Sequence, residues 1–194
     1  MSILFIISEV FGSGRYSVVN SVCKVLDRLD LAIPCTTRTS RIADNQDSGF
    51  VFTPLERFEL MIAHEEFLEY VNILGNYYGT PHKFLQQARE NGNDLLVQAD
   101  YRGVEQIKEK VPDAISILIL PAQPALAKDI FSSAVSPGSS LLFREVLLPS
   151  IQKVFSQFQV PDRDKYDHVI VYDRPEDGAI RLIEVIRTER LQRQ

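Results

Sequence analysis

The fold prediction starts from ILFIISEVFGSGRYSVVNSVCKVL at residues 3–26. Ile3 to Ser8 form a nearly continuous apolar run, which is typical of a strand buried on both faces of a parallel sheet. The glycines Gly12 and Gly14 follow this run. Apolar residues then recur at helical spacing, at Val18, Val22, Val25 and Leu26. A strand, a glycine-rich turn and a helix in this order predict the first crossover unit of an α/β protein.

The same alternation of strand and helix returns in the second half of the chain. Apolar runs predict strands at Asp94 to Asp100, Ala114 to Leu120 and His168 to Tyr172. Helical spacing predicts a helix at Tyr101 to Val111 and a closing helix after Pro175, with an apolar stripe of Ile180, Ile183 and Ile186. The predicted fold class is therefore α/β, with a P-loop-type parallel sheet flanked by helices.

Residues 35–92 interrupt this alternation and are richer in polar and aromatic residues. Short strands are predicted at Phe50 to Thr53 and Phe67 to Leu74, with a helix from Pro54 to His64 between them. We therefore predict a small antiparallel lobe inserted at about residues 35–92. The whole chain of residues 1–194 is then one domain, whose core consists of residues 1–34 and 93–194.

Composition and charge exclude several classes of protein. The 194 residues carry a net charge of −5, so nothing global attracts nucleic acid or an anionic membrane. Cys23 and Cys35 form no C-x-x-C pair, and we expect no metal site built from protein ligands. The first apolar run has no basic segment before it and is too short to span a bilayer. A cytoplasmic protein with neither nucleic-acid nor membrane partners is expected.

The glycine-rich turn is placed as a phosphate loop would be, between a buried strand and a helix N-terminus. Its candidate residues are Gly12, Ser13, Gly14, Arg15 and Ser17. Against the motif G-x-x-x-x-G-K-[ST], only Gly14 matches: Glu9 replaces a glycine, Arg15 the lysine and Tyr16 the small hydroxyl. Ser17 offers a hydroxyl one residue later, which points elsewhere on a helix. A tight turn that binds no ligand remains an alternative.

Several short sequence motifs follow one another in the middle of the chain. They are TTR at residues 36–38, FLE at 67–69, GNYYGT at 75–80, and Asp100 with Gly103. With these motifs the chain resembles the guanylate kinase family. The resemblance implies a P-loop core, an inserted GMP-binding lobe and a mobile lid, here at about residues 128–143. It also implies transfer of the ATP γ-phosphoryl group to GMP, with Mg²⁺ as cofactor.

The resemblance further implies roles for individual residues. Arg38, Arg41 and the Tyr78 hydroxyl would hold the GMP phosphate, where the family has a second tyrosine at the position of Phe50. Glu69 and Thr80 would bind the guanine edge. Asp100 would help to hold the base and the metal region. The implied substrate-binding residues are thus Arg38, Arg41, Phe50, Glu69, Tyr78, Thr80 and Asp100.

The side of the site that would bind ATP departs from the family. The loop ends in Arg15-Tyr16, and no arginine occurs in residues 104–143, which include the lid. In the motif that usually reads Asp-x-Asp-x-Gln-Gly, one acid is Gln98 and the amide is Arg102. These departures predict a protein that binds GMP or a related guanine ligand, a pseudoenzyme with weak or absent phosphoryl transfer. Arg15 is the one catalytic candidate, with ATP a co-substrate and Mg²⁺ a cofactor only if transfer survives.

Two other functions remain open. One is an active guanylate kinase with an unusual phosphate loop, in which Arg15 replaces the lysine. The other is a protein-binding module, because the guanylate kinase-like domains of scaffold proteins also have altered loops and bind phosphorylated peptides. In that case the partner would be a phosphorylated protein.

Overall fold

The computed structural model describes residues 2–9, 15–40, 49–122 and 162–193. In chain order its elements are β1 (Leu4–Glu9), α1 (Arg15–Val25), β2 (Leu29–Leu31), β3 (Cys35–Thr36), β4 (Val51–Phe52), α2 (Leu55–Ala63), β5 (Phe67–Ile73), β6 (Asn76–Pro81), α3 (Lys83–Asn91), β7 (Asp94–Gln98), α4 (Tyr101–Lys110), β8 (Ile115–Pro121), a 3₁₀ turn (Arg163–Lys165), β9 (His168–Tyr172) and α5 (Pro175–Gln192).

A parallel sheet of five strands forms the centre of the molecule, in the spatial order β2-β7-β1-β8-β9. One of its faces is covered by α1 and α5, where Val18, Val22 and Leu182 pack with Phe5 and Ile7 of β1. We call this the α1 face. Burial of such side chains on both faces of the central strands provides the main driving force for this arrangement. The predicted α/β architecture is confirmed.

The opposite face, which we call the α4 face, is covered by α3 and α4. Leu85 and Ile107 pack there with Leu4, Ile6 and Val97. Although α3 lies within residues 35–92, its buried side chains belong to this core cluster. The division of the chain into core and lobe remains a prediction, as does the lid, because residues 128–143 lie outside the described residues.

The second sheet is small and has the order β4-β3-β6-β5. β6 runs antiparallel to both β5 and β3, but β3 and β4 are parallel, so the prediction of a purely antiparallel lobe was wrong in this one pairing. The connection from residue 37 to residue 50 is long enough for this parallel pairing, since a parallel pair needs a crossover of about a dozen residues or more.

The apolar faces of two helices were predicted with errors. Val25 of α1 is 59% exposed and Ile180 of α5 is 56% exposed, so neither lies on the buried stripe. Val19 and Leu182 are buried instead. With about 100° per residue, the buried stripe of α1 is centred between Val18 and Val19, and Val25 falls at its edge. Ile180 points almost directly away from the stripe centred on Leu182. No helix in the described part of the chain is both long and apolar enough to cross a membrane.

Candidate functional site

The parallel sheet has a topological switch point at the carboxyl ends of β1 and β7. These strands are neighbours, but β1 leads to α1 on one face and β7 leads to α4 on the other. Ligands of open α/β sheets bind at such a switch point, because the two outgoing connections diverge there. We call this place the β1–β7 crevice, and Ser8 of β1 and Gln98 of β7 lie at its edge.

Glu69 and Thr80 form a buried polar pair beside this crevice. They lie opposite each other on the antiparallel strands β5 and β6, and the Thr80 hydroxyl donates a hydrogen bond of 2.7 Å to Oε1 of Glu69. Glu69 is only 4% exposed. Burial raises the pKa of Glu69 to about 7; the hydrogen bond from Thr80 opposes this rise and the nearby Asp100 charge adds to it. The pair thus presents a carboxylate that titrates near neutral pH.

Two glycines let other segments approach Glu69 closely. A Cβ atom on Gly103 would lie 2.9 Å from Oε2 of Glu69 and 2.9 Å from the Ala99 Cβ. A Cβ atom on Gly79 would lie 2.9 Å from the carbonyl oxygen of Glu69. Gly103 belongs to the first turn of α4, so the carboxylate of Glu69 rests against a helix N-terminus, whose dipole favours negative charge.

Asp100 caps α4, and both of its carboxylate oxygens have partners. Oδ1 accepts hydrogen bonds of 3.0 Å from the backbone amides of Arg102 and Gly103. Oδ2 accepts from the guanidinium of Arg102, at 2.9 Å from Nε and 2.5 Å from Nη2. Asp100 is therefore fixed in place by the chain that follows it, and its charge is balanced by Arg102.

Three of the predicted substrate-binding residues, Arg38, Phe50 and Tyr78, lie close together in the small sheet, away from Glu69. Cζ of Arg38 lies 5.9 Å from the ring centre of Phe50 and 5.2 Å from that of Phe52. The rings of Phe50 and Tyr78 meet edge to face at 5.9 Å. Thr36 orients this corner, because its hydroxyl accepts from the Arg38 amide at 3.1 Å. Arg38, Phe50 and Tyr78 are thus close neighbours, and one guanidinium, which also donates to the Thr39 carbonyl at 3.1 Å, and one phenol lie at the same corner.

Other predicted residues cannot be placed in this way. Gly12, Ser13, Gly14 and Arg41 lie outside the described residues, and of Arg15 and Ser17 only the backbone is described, in the first turn of α1. Their roles remain predictions.

The described part of the chain shows no Mg²⁺ site that is built from protein side chains alone. It contains no group of three or more His, Cys, Asp or Glu side chains that could hold a metal ion. Magnesium is usually bound through one or two carboxylates together with substrate phosphates. The nearest candidate, Asp100, has both oxygens committed to Arg102 and to the α4 amides.

Sequence reasoning missed the residues that attach β5 to α4. The amide of Gln106 donates to the Tyr70 carbonyl at 2.9 Å and accepts from the Tyr70 amide at 3.1 Å. Nζ of Lys110 donates to the carbonyls of Phe67 and Leu68, at 2.8 and 3.0 Å. A possible signal was the i, i+4 spacing of these two polar residues on α4, which places them on one side of the helix.

A comparison with protein-family models decides the family. The model described as guanylate kinase matches residues 2–189. The chain belongs to the guanylate kinase family. Among curated relatives, the guanylate kinase of Koribacter versatilis is 32% identical, over 98% of this chain and 80% of the relative. That of Sodalis glossinidius is 31% identical, over 97% and 88% of the two chains.

A solved structure supports the same fold for this guanylate kinase family member. The crystal structure of guanylate kinase from Anaplasma phagocytophilum superimposes with a TM-score of 0.74, covering 97% of this chain and 86% of that one. At 22% sequence identity, this likeness bears on the fold alone. The resemblance inferred from the motifs at residues 36–38, 67–69 and 75–80 is thereby confirmed at the level of the family.

Proposed function

We propose that this chain is an active guanylate kinase, which transfers the γ-phosphoryl group of ATP to GMP and gives ADP and GDP. The relatives in Koribacter versatilis and Sodalis glossinidius are named guanylate kinases, and these names favour an active enzyme over the pseudoenzyme that the loop predicts. The observation that carries the proposal is the buried Glu69–Thr80 pair beside the β1–β7 crevice.

The chemistry of this pair suits guanine. The base edge of guanine carries two adjacent donors, the ring N1–H and the exocyclic N2–H₂ group, and a carboxylate can accept from both. Adenine lacks this pair of donors and would leave the buried Glu69 carboxylate with only the Thr80 hydroxyl as donor, at a substantial cost in free energy. Since bound donors stabilise the ionised form of Glu69, GMP binding lowers its pKa from about 7.

The GMP phosphate would be held at the far edge of the lobe. The planar guanidinium of Arg38 matches the geometry of phosphate oxygens, and the Tyr78 hydroxyl is a further donor. Arg41 would add a second guanidinium. Phe50 supports Arg38 and Tyr78 by its ring but supplies no hydrogen bond.

Phosphoryl transfer consists largely of positioning and charge stabilisation. In this proposal the base pocket and the phosphate-binding corner fix GMP at both ends, which orients its phosphate oxygen toward the ATP γ-phosphorus. The N-terminus of α1 and the Arg15 side chain would balance charge on the ATP phosphates. Mg²⁺ would neutralise those phosphates when bound.

The test is a turnover assay with matched variants. Purified protein is mixed with ATP, GMP and Mg²⁺, and GDP is quantified by chromatography. Glu69→Gln presents amide hydrogens to the guanine donors, so we expect kcat/KM for GMP to fall about 100-fold or more. The control is Glu109→Gln, an equal charge change on the exposed side of α4, which should leave kcat/KM within twofold. GDP formation that is insensitive to Glu69→Gln would contradict the assigned base pocket.

A second candidate function is binding of GMP without turnover. The sequence observation that favours it is the loop itself, in which Arg15 and Tyr16 stand at the positions of the lysine and the hydroxyl. Calorimetric binding of GMP without GDP above a no-protein control would select this candidate. The phosphopeptide-binding alternative receives no support from the relatives described above.

A further inference from the structure

A buried hydrogen-bond donor at the β1–β7 crevice has no partner. Nε2 of Gln98 is excluded from solvent and makes no hydrogen bond, and within the described residues no other buried side-chain nitrogen or oxygen shares this condition. Buried polar groups are nearly always paired, so an unpaired one needs an explanation such as a ligand that completes it. Gln98 is the last residue of β7 and therefore lies where ligands of such sheets bind.

The sheet register shows on which side of the crevice Gln98 lies. Leu96 belongs to the core cluster of the α1 face, and side chains alternate along a strand, so Gln98 also lies on the α1 face. Its neighbour across the ladder is Ile7, which belongs to the same cluster. The helix that covers this face, α1, begins at Arg15, just after the carboxyl end of β1. Gln98 therefore lies on the side where a helix N-terminus meets the crevice.

The base pocket lies on the other side of the crevice. Glu69 rests against Gly103 in the first turn of α4, which covers the α4 face. The two faces are thus equipped differently: a buried carboxylate on the α4 face, and an unpaired amide donor on the α1 face, which is the face that α1 covers. Amide hydrogens and a helix N-terminus both attract an anionic acceptor, and in a nucleotide that acceptor is a phosphate oxygen.

We propose that Gln98 binds the phosphoryl-donor nucleotide, with Nε2 donating a hydrogen bond to a phosphate oxygen of the bound ATP or ADP. This inference rests on the proposed function and assigns to Gln98 a role that the sequence motif alone did not suggest. A carboxylate at this position would attract a cation and repel phosphate, whereas the amide contacts phosphate directly. Nucleotide affinity should therefore depend less on Mg²⁺ with Gln98 than with an acid in its place.

The experiment is calorimetric titration of the full chain with ADP and, separately, with GMP, each with and without Mg²⁺. Gln98→Glu keeps the length of the side chain but replaces the donor by a negative charge. Gln98→Met removes the donor without adding charge. Gln87→Glu, on the exposed side of α3, is the matched charge control. Thermal unfolding monitored by circular dichroism verifies that each variant is folded.

Without Mg²⁺, we expect ADP affinity to fall at least tenfold in Gln98→Glu and about fivefold in Gln98→Met. GMP affinity should stay within twofold in both, and Gln87→Glu should change neither. Excess Mg²⁺ should restore ADP affinity in Gln98→Glu by about fivefold, because the ion would offset the added negative charge. A variant that merely distorts the end of β7 would not show this recovery.

Failure of the inference and failure of the proposed function give different results. Unchanged ADP affinity in both variants overturns the role of Gln98, and so does an unaltered protein that binds no ADP, even if GMP binds. Loss of ADP and GMP affinity together also overturns it, since that pattern indicates a general structural effect. If the unaltered protein forms no GDP but binds ADP in a manner that depends on Gln98, the proposed turnover fails while the inference holds. Should Gln98→Glu not fold, Gln98→Met alone decides.

Discussion

The two sides of the β1–β7 crevice differ in how their polar groups are satisfied. On the α4 face, Glu69 is paired with Thr80, and Asp100 is paired with Arg102 and two backbone amides. On the α1 face, Gln98 has a buried donor without a partner. If the two proposals hold, the base pocket is organised before ligand arrives, whereas the phosphate side is completed by the ligand.

The largest effect is expected from Gly103→Ala. The new Cβ would lie 2.9 Å from both Oε2 of Glu69 and the Ala99 Cβ, so the base pocket must deform. We expect GMP affinity to fall about 100-fold and the free energy of unfolding to fall by about 1–3 kcal/mol. Calorimetry and urea unfolding measure these quantities, and Glu109→Ala on the exposed side of α4 is the control. Full GMP affinity in Gly103→Ala would show that the pocket is not preorganised against α4.

The next effect is a pH dependence that is specific to the base pocket. Because the pKa of Glu69 is raised to about 7, about a tenth of the carboxyl groups are ionised at pH 6 and about nine tenths at pH 8. GMP requires the ionised form, so its affinity should rise about tenfold over this interval. The GMP phosphate also changes its protonation between about pH 6 and 8. The pH profile of GMP affinity in Glu69→Gln is therefore the reference, and only the difference between the two profiles is attributed to Glu69. Parallel pH profiles would refute the assignment.

The same raised pKa has the opposite effect on the stability of the ligand-free protein. Between the unfolded value of about 4.5 and the folded value of about 7, the folded state binds more protons than the unfolded state. The free energy of unfolding should therefore decrease as the pH rises from about 5 to 7.5, by up to about 3 kcal/mol from this group. Urea unfolding between about pH 5 and 7.5 measures this decrease in the unaltered protein and in Glu69→Gln. The free energy of unfolding of the variant should lack the part of the pH dependence that comes from Glu69.

A smaller effect is expected from Phe50→Tyr. The new hydroxyl lies on the ring that contacts Arg38 and Tyr78, and it would supply the phosphate donor that the family has there. One added hydrogen bond should lower KM for GMP by about threefold to tenfold. The control is Phe52→Tyr, whose ring also lies near Arg38. An equal gain in both variants would mean that the hydroxyl acts by general polarity and that this corner does not hold the phosphate.

The smallest effect is expected from Arg102→Gln. The Arg102–Asp100 pair is partly exposed, with 39% of the Arg102 side chain accessible, so solvent screens much of its energy. We expect a loss of less than about 1 kcal/mol in the free energy of unfolding. The variant also leaves Oδ2 of Asp100 without its guanidinium partner. We therefore expect ADP affinity to become more dependent on Mg²⁺. No change in that dependence would show that Arg102 has no influence on the crevice.

Much of the parallel sheet could be predicted from the sequence, for a physical reason. Strands such as β8 are buried on both faces and therefore appear as apolar runs. β6 was not predicted, because its sequence NYYGTP is polar and aromatic, and it becomes a strand only by pairing with β5 and β3. Helical periodicity located α1 and α5 but not the centres of their buried stripes, which depend on what each helix packs against.

The candidate site was less predictable from the sequence than the parallel sheet. The motifs identified Glu69 and Thr80, but their contact results from the register of β5 and β6, which no local pattern reveals. In the sequence Arg102 is only a departure from the family motif, whereas its pairing with Asp100 follows from the geometry of the α4 cap. That Gln98 is unpaired depends on the whole environment of the crevice, so the sequence could not show it.

The attachment of β5 to α4 has a consequence for motion. Gln106 and Lys110 bind the backbone of residues 67–70, so the strand that carries Glu69 is tied to the helix that begins at Asp100. If the small sheet rotated as a unit, Glu69 would lie close to the point of attachment and would move less than Arg38, which lies beyond β3. In the proposed guanylate kinase the guanine contacts would then change little, while the GMP phosphate would move with Arg38.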